Sequence, residues 1–554
     1  MKKRLAILAF LLLGGVLVSL AWPPINFLVG PMIGFVPLLL VEQYISSNTK
    51  RFRRNQVYWS AFLFFATWFY CGMWWSANAF VPAVLAAVLI NSAFFSGVFL
   101  LFSQVRKNIG NKIGYLSFVV FLIAWEYIEI IDWDLSWPWL TLGYSLGDHT
   151  WAAQWYEFTG SLGGSLWLLL INLAVFKLVL TVVAKREAYL RFRKGLNVFY
   201  LIVIPIGISL LLYFNHEEKG AQTEIVVVQP NEDPYKGSFI TEQGYNMGSM
   251  SRAGKLAWQL RLAAPLISDA TSFVLFPESS FPQTVWNDQM DSLPLLIDFY
   301  QQAKLLHDVP FLTGVSYSEK FEHDLSKELP FDAHWSNRYK TYYKNHNSAL
   351  MVNGPGSDSL YNKSLLVIGP ERIPWYFVFL QRYMDDFEDD SQGTTVNFNH
   401  TIQENRDVFV GKLGKVKIAP IICYESIFGE YVGDYVKNGA NVLGIITNDA
   451  WWDDTPGYQH HFAYARLRAI ETRRAVARSA NTGWSGFINQ RGDVLLKSEF
   501  LKPTALKGKV QLNEELTFYV QHGDFIGRLS IPIAILLLIN LFIRVIKKRA
   551  KIQV

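Results

Sequence analysis

A chain of 554 residues, 51 % hydrophobic and only 18 % charged, is too long for one ordinary domain and, at a mean hydropathy of +0.17, too apolar for a soluble one. Two cysteines cannot make a disulfide scaffold. The net charge of +5 is placed by membrane topology, as the clusters below show, and does not imply a nucleic acid partner.

Apolar runs of spanning length lie near residues 4–22, 27–42, 57–77, 81–104, 113–131, 165–184 and 197–214, with an eighth near 525–546. At about 1.5 Å per residue each can cross a hydrocarbon core of about 30 Å, the second with some accommodation. The first run follows Lys2, Lys3 and Arg4 as a signal peptide would. Further spans follow it, however, so an uncleaved helix is predicted. The stretch from Trp137 to Gly164, rich in Trp, Tyr and Gly, predicts an interfacial or re-entrant connection.

Basic clusters choose the orientation. Lys50, Arg51, Arg53 and Arg54 follow the second run, and Arg106, Lys107 and Lys112 the fourth. Lys185, Arg186, Arg191, Arg193 and Lys194 follow the sixth, and Arg544, Lys547, Lys548, Arg549 and Lys551 the eighth. The alternate loops, 23–26, 78–80 and 132–164, hold no Lys or Arg. By the positive-inside rule both termini are expected in the cytoplasm and residues 215–524 outside. The predicted domains are therefore a membrane domain of seven helices (1–214), an extracytoplasmic domain (215–524), and a last helix with a basic tail (525–554).

The outer block changes character. Strand-like runs are predicted at 223–231, 272–278, 310–317, 346–353, 417–425 and 441–449, with helical stretches around 250–268, 292–307 and 458–474. Continuous apolar strands alternating with helices predict a layered α/β domain whose sheets are covered on both faces.

In three places a reactive side chain stands where such a strand gives out. FVLFPESSFP presents Glu278, LYNKSLLVIGPERIP presents Lys363, and IAPIICYES presents Cys423. Strand ends are where α/β folds assemble their sites. Singly, a strand-end Cys is an ordinary core filler and a loop Glu or Lys an ordinary solvated charge. Together, a base, a cation and a thiol are the parts of covalent acyl transfer. Cys71, in FYCGMWW, has no such neighbours and reads as packing.

FPESS, YNKSLLVIGPE, ICYES and TNDAWW jointly resemble the nitrilase superfamily of carbon–nitrogen hydrolases with its Glu–Lys–Cys triad. With the seven-plus-one membrane framework, WPWLTLGYS (137–145) and QHHFAYARLRAIETRRAVARSANTGWS (459–485), the resemblance narrows to the apolipoprotein N-acyltransferases and covers essentially the whole chain. It implies an eight-helix membrane bundle carrying a nitrilase-like αββα sandwich in the bacterial cytoplasmic membrane. It also implies Cys423 as nucleophile, Glu278 as general base and Lys363 as oxyanion stabiliser, a role worth on the order of 10²–10³ in rate elsewhere. Glu371, eight residues after the lysine, and Glu425, two after the cysteine, are implied to orient the lysine and the tetrahedral intermediate. Tyr424 would flank the nucleophile.

The implied reaction is ping-pong. A phospholipid, typically phosphatidylethanolamine, acylates the thiol, and the α-amino group of a diacylglyceryl-modified N-terminal cysteine then takes the chain. Neither metal nor other cofactor is called for. His460 and His461, adjacent on a helix, diverge by about 100° and make no ligand pair. A chain of sixteen carbons resists leaving the bilayer by on the order of 12 kcal/mol, so the thiol is expected at the lipid surface. WYFVFLQRYM (375–384) reads as an apolar lid dipping into lipid through Trp375, Phe377 and Phe379.

Departures from the family pattern lie in QPNEDPYKGSF, where Tyr235 is the nearest aromatic to an expected Trp, in the Asp–Ala–Trp–Trp–Asp–Asp run at 449–454, and in the acidic 385–390. They bear on headgroup and acceptor preference. The alternative function is a membrane-tethered amidase using the same triad, which would have no need of eight spans. A non-catalytic carrier would be marked by intramembrane charges, and few stand here, such as Glu42, Glu126 and Glu129.

Overall fold

Apolar runs that must satisfy their own backbone become helices, and runs of β-branched residues that can pair become sheet. The computed structural model describes residues 2–48, 55–233, 238–239, 250–323, 326, 329–336, 339–354, 356, 358–369, 371–372, 400–411 and 414–550. It divides into two units: Met1–His216 with His522–Val554, and Glu217–Gln521.

The first unit is helical. Its long elements are Lys2–Ser19, Phe35–Ser47, Asn55–Met73, Ala77–Ile109, Asn111–Ile130, Tyr156–Val183, Ala188–Asn215 and Phe525–Ala550, with the short Val29–Ile33 leading into Phe35–Ser47. Among the described residues six segments are long and apolar enough to cross a membrane: 29–47, 84–109, 111–130, 156–183, 188–215 and 525–549. The other two predicted spans also form helices, but Lys2–Ser19 opens on basic residues and Asn55–Met73 is rich in Trp and Tyr. Small residues allow close approach between helical segments: a Cβ on Gly34 would stand 2.4 Å from Val18 Cγ2.

The stretch after Trp137 forms three short 3₁₀ turns, Pro138–Leu140, Leu142–Leu146 and Thr150–Ala152. Helix Tyr156–Val183 follows, its geometry broken at Gly160 (φ 62°). Two buried carboxylates organise these turns from the neighbouring helix. Glu129 Oε2 accepts the Trp137 N–H at 2.7 Å, and Glu126 Oε1 the Leu142 N–H at 2.8 Å. The intramembrane charges near that helix end thus pair with backbone, as buried polar groups must.

The second unit is an αββα sandwich. One sheet runs in the order Thr504–Leu512, Ala221–Gln229, Thr271–Leu275, Phe311–Phe321, Thr341–Val352, Ala333–Ser336, with Ser359–Asn362 also on Thr341–Val352. The other runs Phe409–Val410, Lys417–Ile422, Val442–Thr447, Ala475–Ala480, Gly486–Ile488, Val494–Lys497. Their inner faces meet where Ser479 Oγ donates to the Val228 carbonyl at 2.7 Å and Ser498 Oγ to Gln229 Oε1 at 2.7 Å. Helices Arg252–Ala263 and Pro294–Leu305 cover the first sheet, packing Leu256, Leu260, Leu296 and Phe299 on Val226, Val274 and Phe311. Helices Gly429–Lys437 and Gly457–Thr472 cover the second.

Lys417–Ile422, Val442–Thr447 and Ala475–Ala480 are parallel and in register, so their carboxyl ends come together. No strand after residue 474 was predicted. Ala475–Ala480 (AVARSA) is buried at every position yet carries Arg478 and Ser479, whose polar atoms are satisfied by tertiary partners; it therefore lacks an apolar run.

Candidate active site

Glu278 lies just past Thr271–Leu275 and is 6 % exposed. Its backbone rests on Gly314 of the neighbouring strand: the Gly314 N–H donates to the Pro277 carbonyl at 3.0 Å, and a Cβ on Gly314 would fall 2.5 Å from Glu278 Cα. Lys363 follows Ser359–Asn362, its N–H tied to the Asn347 carbonyl at 2.8 Å, and is 1 % exposed. Cys423 follows Lys417–Ile422 and is held at φ 49°, a left-handed conformation costly for a residue with a Cβ.

The fold brings all three together with Glu371. Lys363 Nζ donates to Glu278 Oε1 at 3.1 Å and to Glu371 Oε1 at 2.8 Å. Asn347 Nδ2 reaches the same two oxygens at 2.8 Å each. The remaining carboxylate oxygens take backbone: Glu278 Oε2 accepts Asn448 N–H at 2.9 Å, and Glu371 Oε2 accepts Val367 N–H at 2.8 Å.

Electrostatics follow from this packing. Burial opposes the Lys363 charge, but Glu278 and Glu371 outweigh it and hold the ammonium well above its usual range. Burial, and then the Glu278 carboxylate, push the Cys423 thiol well above its usual range while Lys363 pulls it back. Burial works against Glu371 too, yet Lys363 keeps its carboxyl below the ordinary value. Burial holds the imidazole of His400, whose backbone N–H donates to the Glu371 carbonyl at 3.0 Å, at about 4. A cation fixed between two carboxylates beside a protonated thiol is an arrangement for nucleophilic attack with charge stabilisation.

Glu425 is fully buried, not a loop charge, and faces backbone and phenols. Its Oε1 accepts Ser364 N–H at 2.7 Å, Tyr361 OH at 2.8 Å and Tyr431 OH at 2.5 Å; its Oε2 accepts Ile422 N–H at 2.9 Å. It joins the residue after the lysine to the residue before the cysteine. Tyr424 is buried with its ring against Phe428, centroids 5.1 Å apart. Tyr235, Trp375, Phe377, Phe379 and the acidic 385–390 lie outside the described residues. Cys71 belongs to the helical unit, on Asn55–Met73. Among the described residues no cluster of His, Cys, Asp or Glu has the makings of a metal site.

Asn347 and Asn448 were missed as site residues. Asn448 stands in the TNDAWW motif, whereas Asn347 is signalled only as a polar residue inside the apolar strand Thr341–Val352.

Two family models match. Residues 14–174 fit the apolipoprotein N-acyltransferase N-terminal domain and residues 244–515 the carbon–nitrogen hydrolase domain. The protein named apolipoprotein N-acyltransferase in Chlorobaculum tepidum is 26 % identical over 540 residues, 94 % of each chain. Along nearly its whole length the chain is similar to the apolipoprotein N-acyltransferases. Other proteins so named align along most of their length: that of Allorhizobium ampelinum at 26 % identity over 89 % of this chain and 87 % of its own, and that of Geobacter metallireducens at 24 % over 92 % and 91 %. Among solved structures, an amidase of the nitrilase superfamily from Nesterenkonia matches at 14 % identity and a TM-score of 0.35, over 55 % of this chain and 94 % of its own.

Proposed function

We propose that this protein moves a fatty acyl chain from a membrane phospholipid, through a thioester on Cys423, to the α-amino group of a diacylglyceryl-modified N-terminal cysteine of a lipoprotein precursor. The observation that carries the reading is the Lys363 ammonium, locked between Glu278 and Glu371 beside the Cys423 thiol. The phospholipid class we favour is phosphatidylethanolamine. The location we favour is a bacterial cytoplasmic membrane with the catalytic unit outside, supported by the one-sided distribution of basic clusters.

The chemistry starts from a protonated thiol, because burial and a neighbouring carboxylate keep it so. Attack is therefore coupled to proton transfer. Glu278 Oε1 already takes two donors and Oε2 one, so Oε2 keeps the free lone pair and receives the proton. Sulfur adds to the ester carbonyl, and Lys363 stabilises the oxyanion at a charge cost already met by its two carboxylates. Collapse expels the lysophospholipid oxygen, which recovers the proton from Glu278. The incoming amine then attacks the thioester, gives up its proton to Glu278, and the C–S bond breaks to leave an amide and a thiolate that is reprotonated.

Intact mass spectrometry after incubation with phospholipid alone tests this. Wild type should gain one acyl chain that persists until a lipopeptide amine is added, and Cys423→Ala should gain none. A chain lost to water without amine would instead favour the amidase reading, and no mass gain would reject the acyl-enzyme.

A further inference from the structure

A second buried polar network lies behind the nucleophile, and the mechanism above does not use it. His461, on helix Gly457–Thr472, is 0 % exposed. Its Nε2 stands 3.1 Å from the Cys423 carbonyl oxygen and 2.8 Å from Ser426 Oγ. On the other side its Nδ1 lies 3.0 Å from Asp449 Oδ1 and 3.0 Å from Arg478 Nη2. Asp449 and Arg478, also 0 % exposed, are joined at 2.7 Å, and Arg478 Nη1 donates to the Trp484 carbonyl at 2.5 Å. The edge of Trp452 closes over the imidazole, centroids 5.7 Å apart.

We propose that His461, braced by Asp449 and Arg478, is a positioning residue that pins the Cys423 peptide carbonyl and thereby aims the sulfur. A carbonyl oxygen only accepts, so Nε2 carries the proton at that contact, whichever partner engages Nδ1. Ser426 Oγ donates to the same carbonyl at 2.7 Å. The carbonyl so held belongs to the residue at φ 49°, a conformation that relaxes unless its surroundings over-determine it. A helix, a strand end and the strand bearing Arg478 thus converge on one peptide group. Strained backbone and a doubly bonded carbonyl are separate observations that point to the same atom. The role rests on Cys423 being the nucleophile.

The test uses the full chain in detergent micelles containing phosphatidylethanolamine, comparing wild type, His461→Phe and His461→Gln. Phe fills the ring volume without a donor; Gln restores an N–H directed at the carbonyl. Acyl gain on Cys423 should slow about 100-fold in His461→Phe with the KM for phospholipid unchanged, and return to within about 10-fold of wild type in His461→Gln. A His461→Phe variant acylating at the wild-type rate, or a Gln variant as slow as the Phe variant, overturns the proposal. Should His461→Phe not fold, the isosteric Asp449→Asn replaces it, with about a 10-fold slowing expected and a wild-type rate overturning it. Alkylation of Cys423 by iodoacetamide, followed by peptide mass mapping, separates this idea from the function it rests on. If wild type takes no acyl chain but its alkylation rate falls in His461→Phe and recovers in His461→Gln, the positioning role stands and the acyl-transfer reading fails. If alkylation is also unmoved, both fail.

Discussion

The carboxylate of Glu425 accepts the peptide N–H of Ser364 at 2.7 Å, and through its other oxygen it holds Ile422 at 2.9 Å. One buried acid therefore sets the spacing between the segment that carries Lys363 and the strand that ends at Cys423. Burial raises its pKa, and the backbone and phenol donors around it oppose that rise. Glu425→Gln turns one acceptor into a donor facing an N–H or a phenol. We expect a loss of about 1–3 kcal/mol in stability, seen as a lower Tm, and about a 100-fold slower acyl transfer. Wild-type turnover in this variant would show that the spacing does not matter.

Glu278 and Lys363 act on the thiol with opposite signs. The Glu278 carboxylate raises the Cys423 pKa and Lys363 lowers it. Removing the negative charge in Glu278→Gln therefore increases the thiolate fraction at a given pH, and removing the positive charge in Lys363→Met decreases it. The pH profile of Cys423 alkylation should move to lower pH in the first variant and to higher pH in the second, while both lose acyl transfer. Parallel shifts in the two profiles would contradict the charge arrangement.

Gly314 is a third lever on the site. Its missing Cβ leaves room for the Glu278 backbone, with the Ser279 nitrogen 2.3 Å and Glu278 Cα 2.5 Å from where that atom would sit. Backbone on both sides cannot yield as a flexible side chain would. Gly314→Ala should displace the carboxylate and cost about 100-fold in rate. The assay is single-turnover acyl gain by mass, and an unchanged rate would mean that the base tolerates the shift.

His400 carries a pH dependence of stability. Burial depresses its pKa from the usual 6.5 to about 4, against the pull of Glu371. Between those values the unfolded chain binds a proton that the folded chain does not, so stability falls as pH drops from about 6.5 to about 4. His346, also depressed by burial, adds in the same direction. Thermal melts across that range should show the decline, and His400→Gln should flatten it. An equal slope in the variant would remove His400 as its source.

Local pattern carried much of this protein. Hydropathy alone set out the helical segments, because a chain in hydrocarbon must bond its own backbone and so writes its spans as uninterrupted apolar runs. The same holds for the central strands: Lys417–Ile422 and Val442–Thr447 are buried nearly throughout and read as such in sequence. Glu278 and Cys423 were legible because each stands just past an apolar strand, whereas Lys363 follows the short polar strand Ser359–Asn362 and was legible only through its motif. Tertiary structure decided what no local window contains. Ala475–Ala480 pairs as a strand only because distant groups satisfy Arg478 and Ser479, and Glu278 is reached by the Asn347 side chain from one strand and by the Asn448 backbone N–H from just past another. His461 reaches the Cys423 carbonyl from a helix 38 residues away. Periodicity reports which face of an element is buried, whereas hydrogen bonds between elements depend on strand register and helix placement, which only the assembled sandwich defines.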